Sequence, residues 1–154
     1  MVDEQTASIK VEEACSFTIE QVAARTGLTK RTLRYYEEVG LLPPTGRTEG
    51  NYRRYSEADI QRLERIKNLR DLLGFSLADI RTLLAADDER GHIKAAYRQE
   101  TDVAAKLAQL DRSDELILRQ LHLIEQKLAG LEQMREGLLA KLERHVQMRK
   151  DLSS

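Results

Sequence analysis

The most regular pattern in the chain is a run of apolar residues spaced alternately four and three positions apart in its last third. Asp114 and Arg135 are the two charged residues that interrupt it. Such spacing, kept over about six heptads, is typical of a coiled-coil seam rather than of a helix face on a globular core. The predicted seam consists of Val103, Leu107, Leu110, Asp114, Ile117, Leu121, Ile124, Leu128, Leu131, Arg135, Leu138 and Leu142.

The two charges in the seam predict how its partner helix runs. A helix over 102–148 would be about 70 Å long and cannot bury its stripe on the small domain before it, so it needs a second helix. The simplest partner is another copy of the chain. In a parallel pair like charges would meet, whereas an antiparallel pair sets Asp114 opposite Arg135 and Ile124 opposite itself. The pattern therefore predicts an antiparallel homodimer, unless both charges lie at the seam edge and reach water.

Two short helices joined by a glycine are predicted near the start of the chain. A strand of two or three residues is expected to begin at 16–17, and a Thr-x-x-Gln capping box at Thr18 then opens the first helix. That helix ends at Gly27, and Thr29 can cap a second helix over 30–39. This arrangement is typical of a helix-turn-helix, in which the second helix enters the DNA major groove. Any two short helices joined by a glycine can mimic it, so the pattern alone leaves DNA binding open.

The segment after the second helix predicts a loop or hairpin followed by further helices. A Gly-rich loop or hairpin is predicted over 45–55, and Ser-x-x-Asp boxes then open helices at Ser56 and Ser76. We expect the helix from Ser76 to end near Ala86, before three consecutive acidic residues. Residues 87–113 then form either a separate helix or part of one long helix.

Composition and charge narrow the class of protein. The 154 residues are 41% hydrophobic, 33% charged and 5% aromatic, with 2 Pro, which favours a mostly α-helical protein. A single cysteine excludes a disulfide scaffold, and no apolar run is long enough for a membrane span. We therefore expect a cytoplasmic protein. The net charge is only −1, but residues 16–54 carry seven basic against four acidic residues.

That basic segment holds the candidate DNA contacts. Cations, hydroxyls and aromatic residues on the second helix and on the following loop can bind phosphates and base edges. Lone basic residues on a solvated face are the alternative, and one of Tyr52 and Tyr55, more plausibly Tyr55, is expected to fill the core. The candidate contacts are Lys30, Arg31, Thr32, Arg34, Tyr36, Arg47, Tyr52 and Arg53.

Four sequence motifs over residues 17–84 strengthen this interpretation. The runs T-L-R-Y-Y-E, G-L-L-P-P, N-Y-R-R-Y and L-G-F-S-L-A-D-I follow one another in this order. Together they resemble the DNA-binding domain of the MerR family of bacterial transcriptional regulators. The resemblance implies a winged helix-turn-helix followed by a long helix that forms an antiparallel dimer coiled coil. It also places DNA contacts on Arg31, Thr32 and Arg34, on Tyr36, and on Arg47, Tyr52 and Arg53 of the wing.

The resemblance further implies a mechanism and a domain organisation. Regulators of this family sit on an overlong promoter spacer as dimers on a palindromic element, and they bend and untwist it for RNA polymerase. An architectural DNA-bending protein, similar to an excision factor, and a coiled-coil adaptor remain alternatives. The expected organisation is a disordered tail over 1–15, a winged domain over 16–86, a connecting helix over 87–101, a coiled coil over 102–149 and a tail over 150–154.

The sequence departs from the sensor members of that family. Their metal and iron–sulfur sites use cysteines, whereas this chain has only Cys15, ahead of the domain. His122 and Glu125 are three residues apart, and two ligands alone make a weak metal site. We therefore expect no metal and no cofactor. No nucleophile–base pair or phosphate loop points to an enzyme.

Overall fold

A computed structural model describes residues 17–43 and 46–154, so the expectations for the N-terminal tail and for Cys15 lie outside the described residues. The chain divides into two compact units after Leu84. Its elements are β1 (Phe17–Thr18), α1 (Ile19–Thr26), α2 (Lys30–Glu38), β2 (Gly46–Arg47), β3 (Arg53–Tyr55), α3 (Glu57–Lys67), a π-helical turn (Asn68–Leu72), α4 (Leu77–Gln99) and α5 (Val103–Leu152).

The predicted helix-turn-helix is present and is closed by the expected caps. The Thr18 hydroxyl accepts from the backbone N–H of Gln21, and the side-chain Oε1 of Gln21 accepts from the backbone N–H of Thr18. Gly27 ends α1 with a φ of 73°, a left-handed conformation that glycine adopts without steric cost. Thr29 then caps α2 by accepting from the backbone N–H of Thr32. The turn between the two helices is therefore fixed by local interactions.

The core of the first unit joins the helix-turn-helix to the wing and to α3. Tyr55 is 0% exposed and Tyr52 is 75% exposed, so the prediction that Tyr55 fills the core is confirmed. The fully buried side chains of this unit are Val22, Thr26, Leu33, Tyr36, Leu41, Leu42, Tyr55, Leu63, Ile66 and Ile80.

The wing is a small antiparallel sheet in the order β1-β3-β2. Phe17 pairs with Tyr55, and Arg47 lies directly opposite Arg53. The short strand expected to begin at 16–17 is present at Phe17–Thr18, and residue 16 lies outside the described residues. Asn51, with a φ of 61°, is in the turn between β2 and β3, and its amide donates to the carbonyl of Thr48.

One helix boundary differs from the sequence prediction, because α4 runs through Asp87 without the expected break. The helix from Ser56 stays helical, first as α3 and then as the π-helical turn, up to Leu72. Acidic residues cost a helix little when their side chains have partners. Asp87 accepts from Arg90 at 2.7 Å and from Gln120 at 2.8 Å. The prediction of a separate connecting helix over 87–101 is therefore wrong: residues 87–99 are the second half of α4, and residues 100–102 separate α4 from α5.

In the second unit, the last part of α4 packs along the first half of α5. Leu116 is 1% exposed, and Arg112 donates to the two carboxylate oxygens of Glu89 at 2.8 and 3.1 Å. Lys106 lies 4.6 Å from the ring centre of Tyr97. These contacts use one side of α5. The ten apolar residues of the predicted seam lie outside them and are 38–70% exposed.

No helix in the part of the chain that the structure describes is long and apolar enough to cross a membrane.

Candidate nucleic-acid interface

The exposed side of α2 presents most of the predicted contacts. Lys30, Arg31 and Arg34 are exposed, and Thr32 is half-buried with its hydroxyl 2.9 Å from that of Thr29. A surface concavity of about 530 Å³ is lined by Arg31, Thr32, Arg34, Tyr35 and Glu38. This surface offers guanidinium groups, a hydroxyl and an aromatic ring, which are the groups that bind base edges and phosphates.

Lys30 of this set forms an ion pair inside the helix-turn-helix. Its ammonium lies 3.0 Å from a carboxylate oxygen of Glu20 on α1, and the hydrogen bond from Lys30 lowers the pKa of Glu20. Both side chains are about half exposed, so the pair is weak and a phosphate can compete for the ammonium.

The expectation that Tyr36 contacts DNA is wrong, because its side chain is 1% exposed in the core. Its hydroxyl accepts a hydrogen bond from Arg70 of the π-helical turn, and burial raises its pKa. The cause lies in helix periodicity: Leu33 and Tyr36 are three residues apart and share the buried side of α2. Tyr36 therefore anchors α2 and does not reach outward.

Backbone carbonyls near the ends of the two helices accept from basic side chains elsewhere in the first unit. Lys67 donates to the carbonyl of Thr26, Arg81 to that of Val39 and Arg62 to that of Leu41, the last at 2.6 Å. Carbonyls at a helix C-terminus lack intrahelical donors, so cations there stabilise the helix. Sequence reasoning missed this function because these side chains come from distant positions in the chain.

The wing residues Arg47, Tyr52 and Arg53 all lie on the sheet or its turn. Arg53 donates from Nε to Oε2 of Glu37 at 2.9 Å, and Nη1 of Arg47 donates to the carbonyl of Asn51 at 3.3 Å. The Arg53–Glu37 hydrogen bond joins the wing to α2. The predicted contacts on α2 and those on the wing therefore lie in the same compact unit. The sequence prediction did not name Glu37, because an acidic charge gives no sign of a place beside candidate DNA contacts; the structure sets it between α2 and the wing arginines.

A second concavity, of about 250 Å³, lies between the start of α1 and the wing. It is lined by Thr18, Ile19, Glu20, Thr48, Tyr52, Arg53 and Arg54. Among the described residues no group of three or more His, Cys, Asp or Glu side chains is placed to hold a metal ion.

Comparison with known proteins gives the family. Residues 17–87 match the family described as "MerR HTH family regulatory protein". The HTH-type transcriptional regulator YfmP of Bacillus subtilis is 37% identical over 132 residues, which cover 84% of this chain and 94% of YfmP. The HTH-type transcriptional activator TipA of Streptomyces coelicolor is 39% identical over 99 residues, but these cover 63% of this chain and only 38% of TipA.

Among solved structures, HiNmlR, described as a MerR family regulator lacking the sensor domain and bound to promoter DNA, aligns with a TM-score of 0.40 at 25% identity. The alignment covers 73% of this chain and 78% of that chain. The curated relatives are transcriptional regulators and not enzymes. With a helix-turn-helix that presents a basic surface and a regulator such as YfmP matched along nearly its whole length, this chain belongs to the MerR family and is a DNA-binding transcriptional regulator.

Proposed function

We propose that the regulator works as a homodimer that binds a palindromic promoter element, with one winged domain on each half-site. The observation that carries this proposal is the row of exposed apolar side chains along α5. Ten such residues keep coiled-coil spacing along one helix and are 38–70% exposed in a single chain. Burying apolar surface contributes about 25 cal/mol per Å², so a second copy is strongly favoured on this face.

The two charged seam residues favour an antiparallel pair. Asp114 and Arg135 are exposed, and the antiparallel register sets each against the other across the twofold axis, close to Ile124. The paired layers are then apolar against apolar over the rest of the seam. The coiled coil would fix the distance between the two winged domains, and thereby the spacing of the half-sites.

In each winged domain we assign α2 to the major groove and the wing to the phosphate backbone. Arg31, Thr32 and Arg34 would contact base edges or adjacent phosphates, together with Lys30. Arg47, Tyr52 and Arg53 of the wing would contact phosphates. The exposed guanidinium groups of α2 support the first assignment, and the exposed ring of Tyr52 supports the second.

The proposed mechanism is deformation of the promoter spacer. A dimer that bends and untwists an overlong spacer brings both promoter hexamers to one face for RNA polymerase, which makes the polymerase a partner. Recognition would then combine direct contacts with the sequence-dependent cost of deforming DNA. Such a protein acts in the cytoplasm, where promoter and polymerase are found. No metal or cofactor is part of this proposal.

Footprinting on the DNA upstream of the protein's own coding region tests the mechanism. We expect protection centred between the promoter hexamers, hypersensitive bonds near the centre of the spacer, and simultaneous occupancy by RNA polymerase. Protection outside the promoter would favour an architectural DNA-bending protein. Absence of any footprint, with a dimer present, would favour a coiled-coil adaptor.

Disulfide crosslinking in a Cys15→Ser background tests the orientation of the dimer. Ile124→Cys should crosslink readily between subunits, because the residue lies opposite its own copy. Leu107→Cys is the matched control on the same seam, and it should not crosslink, because Leu142 lies opposite it in the antiparallel register. Efficient crosslinking at both positions would mean a parallel pair.

A further inference from the structure

The wing contains an electrostatic conflict that a residue of α2 resolves. Arg47 on β2 and Arg53 on β3 lie directly opposite each other, a position in which like charges destabilise a sheet. Glu37 lies between them: its Oε2 accepts from Nε of Arg53 at 2.9 Å, and its Oε1 is 3.8 Å from Nη2 of Arg47. One carboxylate on α2, which we call the recognition helix, thus contacts an arginine on each of the two wing strands β2 and β3.

This carboxylate is more sheltered from water than most of the ion pairs on the protein. The side chain of Glu37 is 16% exposed and that of Arg53 is 25% exposed, whereas the pair of Arg25 and Glu57 is about half exposed on both sides. Charge-assisted hydrogen bonds are stronger where water competes less. The Glu37–Arg53 bond is therefore able to fix the wing in one position relative to α2.

A neighbouring side chain shows how closely this junction is packed. Tyr55 follows Arg53 by two residues on β3, so both side chains lie on one face of the strand. Tyr55 is 0% exposed, and its hydroxyl has no hydrogen-bond partner among the described residues. Burial raises the pKa of Tyr55, and the charge of Glu37 raises it further. The carboxylate therefore belongs to the packed junction and is not a loose surface group.

We infer that Glu37 is a positioning residue for DNA recognition, one that sets the wing against the recognition helix and halves the net charge of the two wing arginines. The inference rests on the proposed contact between the wing and phosphates. A guanidinium has five N–H donors, so the bond from Nε to Glu37 orients Arg53 without exhausting its capacity for a phosphate. Such preorganisation favours a duplex that fits the fixed geometry over one that does not.

The test compares Glu37→Gln with Glu49→Gln. Glu49 is the matched control, because it is exposed in the turn of the wing, outside the α2 surface proposed to contact bases, and its substitution removes the same charge. Binding is measured against a duplex selected from a random pool by the wild type and against a scrambled duplex, over a range of salt concentrations. In Glu37→Gln we expect the ratio of selected to scrambled affinity to fall about fivefold, near the upper end for a partly exposed ion pair. The salt dependence should steepen by about one ion, because the wing gains one net charge.

In Glu49→Gln both affinities should rise together and leave their ratio unchanged. An unchanged ratio in Glu37→Gln, or the same response in the two variants, would overturn the inference, because Glu37 would then act only through its charge. If the wild type selects no duplex at all, the proposed DNA contact itself fails. Affinities are measured below the unfolding midpoint that circular dichroism gives for each variant, which separates loss of fold from loss of specificity.

A double variant, Glu37→Gln with Arg47→Gln, separates position from charge. It restores the net charge of the wing but not the carboxylate that holds Arg53. We expect its salt dependence to return to that of the wild type while the affinity ratio stays low. Recovery of the ratio along with the salt dependence would contradict a positioning role.

Discussion

The winged domain and the free side of α5 use the same kinds of apolar residue in opposite ways. Leu33, Leu63 and Ile66 are 0% exposed in the first unit, whereas Leu107, Leu128 and Leu142 on α5 are 57–61% exposed. In the winged domain short helices and a small sheet surround one core. Among the described residues, no second element covers the seam side of the 50-residue helix α5. The first unit thus completes its core within one chain, whereas the seam of the second would be covered only in the proposed dimer.

A charge placed in the seam tests most directly whether the exposed apolar residues of α5 form the dimer interface. We expect Ile124→Asp to prevent dimer formation and to lower the affinity for a palindromic duplex by at least about a hundredfold, since both half-sites must be held together. Analytical ultracentrifugation and gel-shift titration measure the two effects. Ala129→Asp is the control, because this exposed residue adds the same charge to α5 outside the seam. A dimer that survives Ile124→Asp would place the interface elsewhere.

Truncation of one leucine in each region tests which apolar residues are already packed inside a single chain. Leu33→Ala should lower the free energy of unfolding by about 2–5 kcal/mol at every protein concentration, because it leaves a cavity in the core. Leu107→Ala should act mainly through the dimer, so its effect should vanish at concentrations where the protein is monomeric. Chemical denaturation at two protein concentrations separates the cases. Equal effects at low concentration would mean that the seam is covered within one chain.

Removal of one cation from α2 tests whether the winged domain binds DNA independently of the dimer contact on α5. Arg34→Ala should weaken binding to the selected duplex by about 1–3 kcal/mol and leave the dimer intact. Arg98→Ala is the control, since it removes an exposed positive charge from the second unit. Gel-shift titration and ultracentrifugation give the two readings. Unchanged affinity in Arg34→Ala would remove this residue from the interface.

Arg53→Ala should weaken binding to all sequences and flatten its salt dependence, because a phosphate contact depends little on the base sequence. The unfolding temperature should also fall slightly, because Glu37 loses the hydrogen bond that Arg53 donates at 2.9 Å. Titration of selected and scrambled duplexes at several salt concentrations measures the response. A change in sequence preference without a change in salt dependence would contradict the phosphate contact.

The smallest expected effect is a pH dependence of the second unit. The hydrogen bond from Arg112 lowers the pKa of Glu89, so this pair stabilises the α4–α5 contact above the ordinary glutamate pKa and stops doing so as the pH falls through the lowered value. In Glu89→Gln the helical circular dichroism signal should therefore change less between pH 5 and pH 3, a range chosen from the ordinary glutamate pKa of about 4.3. An equal pH response in both proteins would show that other carboxylates control the transition.

Local sequence signals were sufficient for much of the fold. The Thr18 capping box, Gly27 and Thr29 predicted the helix-turn-helix, because caps and turns depend on neighbouring residues alone. The heptad spacing likewise predicted an unbroken helix that begins after Asp102, since periodicity is a property of the chain itself. The motifs over residues 17–84 pointed to the correct family.

Tertiary structure decided what depends on residues far apart in the chain. Sequence pattern did not determine that Tyr36 turns inward to Arg70, because a tyrosine on a short helix suits either the core or the surface. It gave no sign of Glu37 as the residue between two opposed arginines, because strand register and the approach of α2 create that position. The acidic run at Asp87 suggested a helix end, but partners on α5 satisfy it. Charged and aromatic side chains gain their function from the partners that folding brings to them, whereas caps and heptads carry their partners within a few residues.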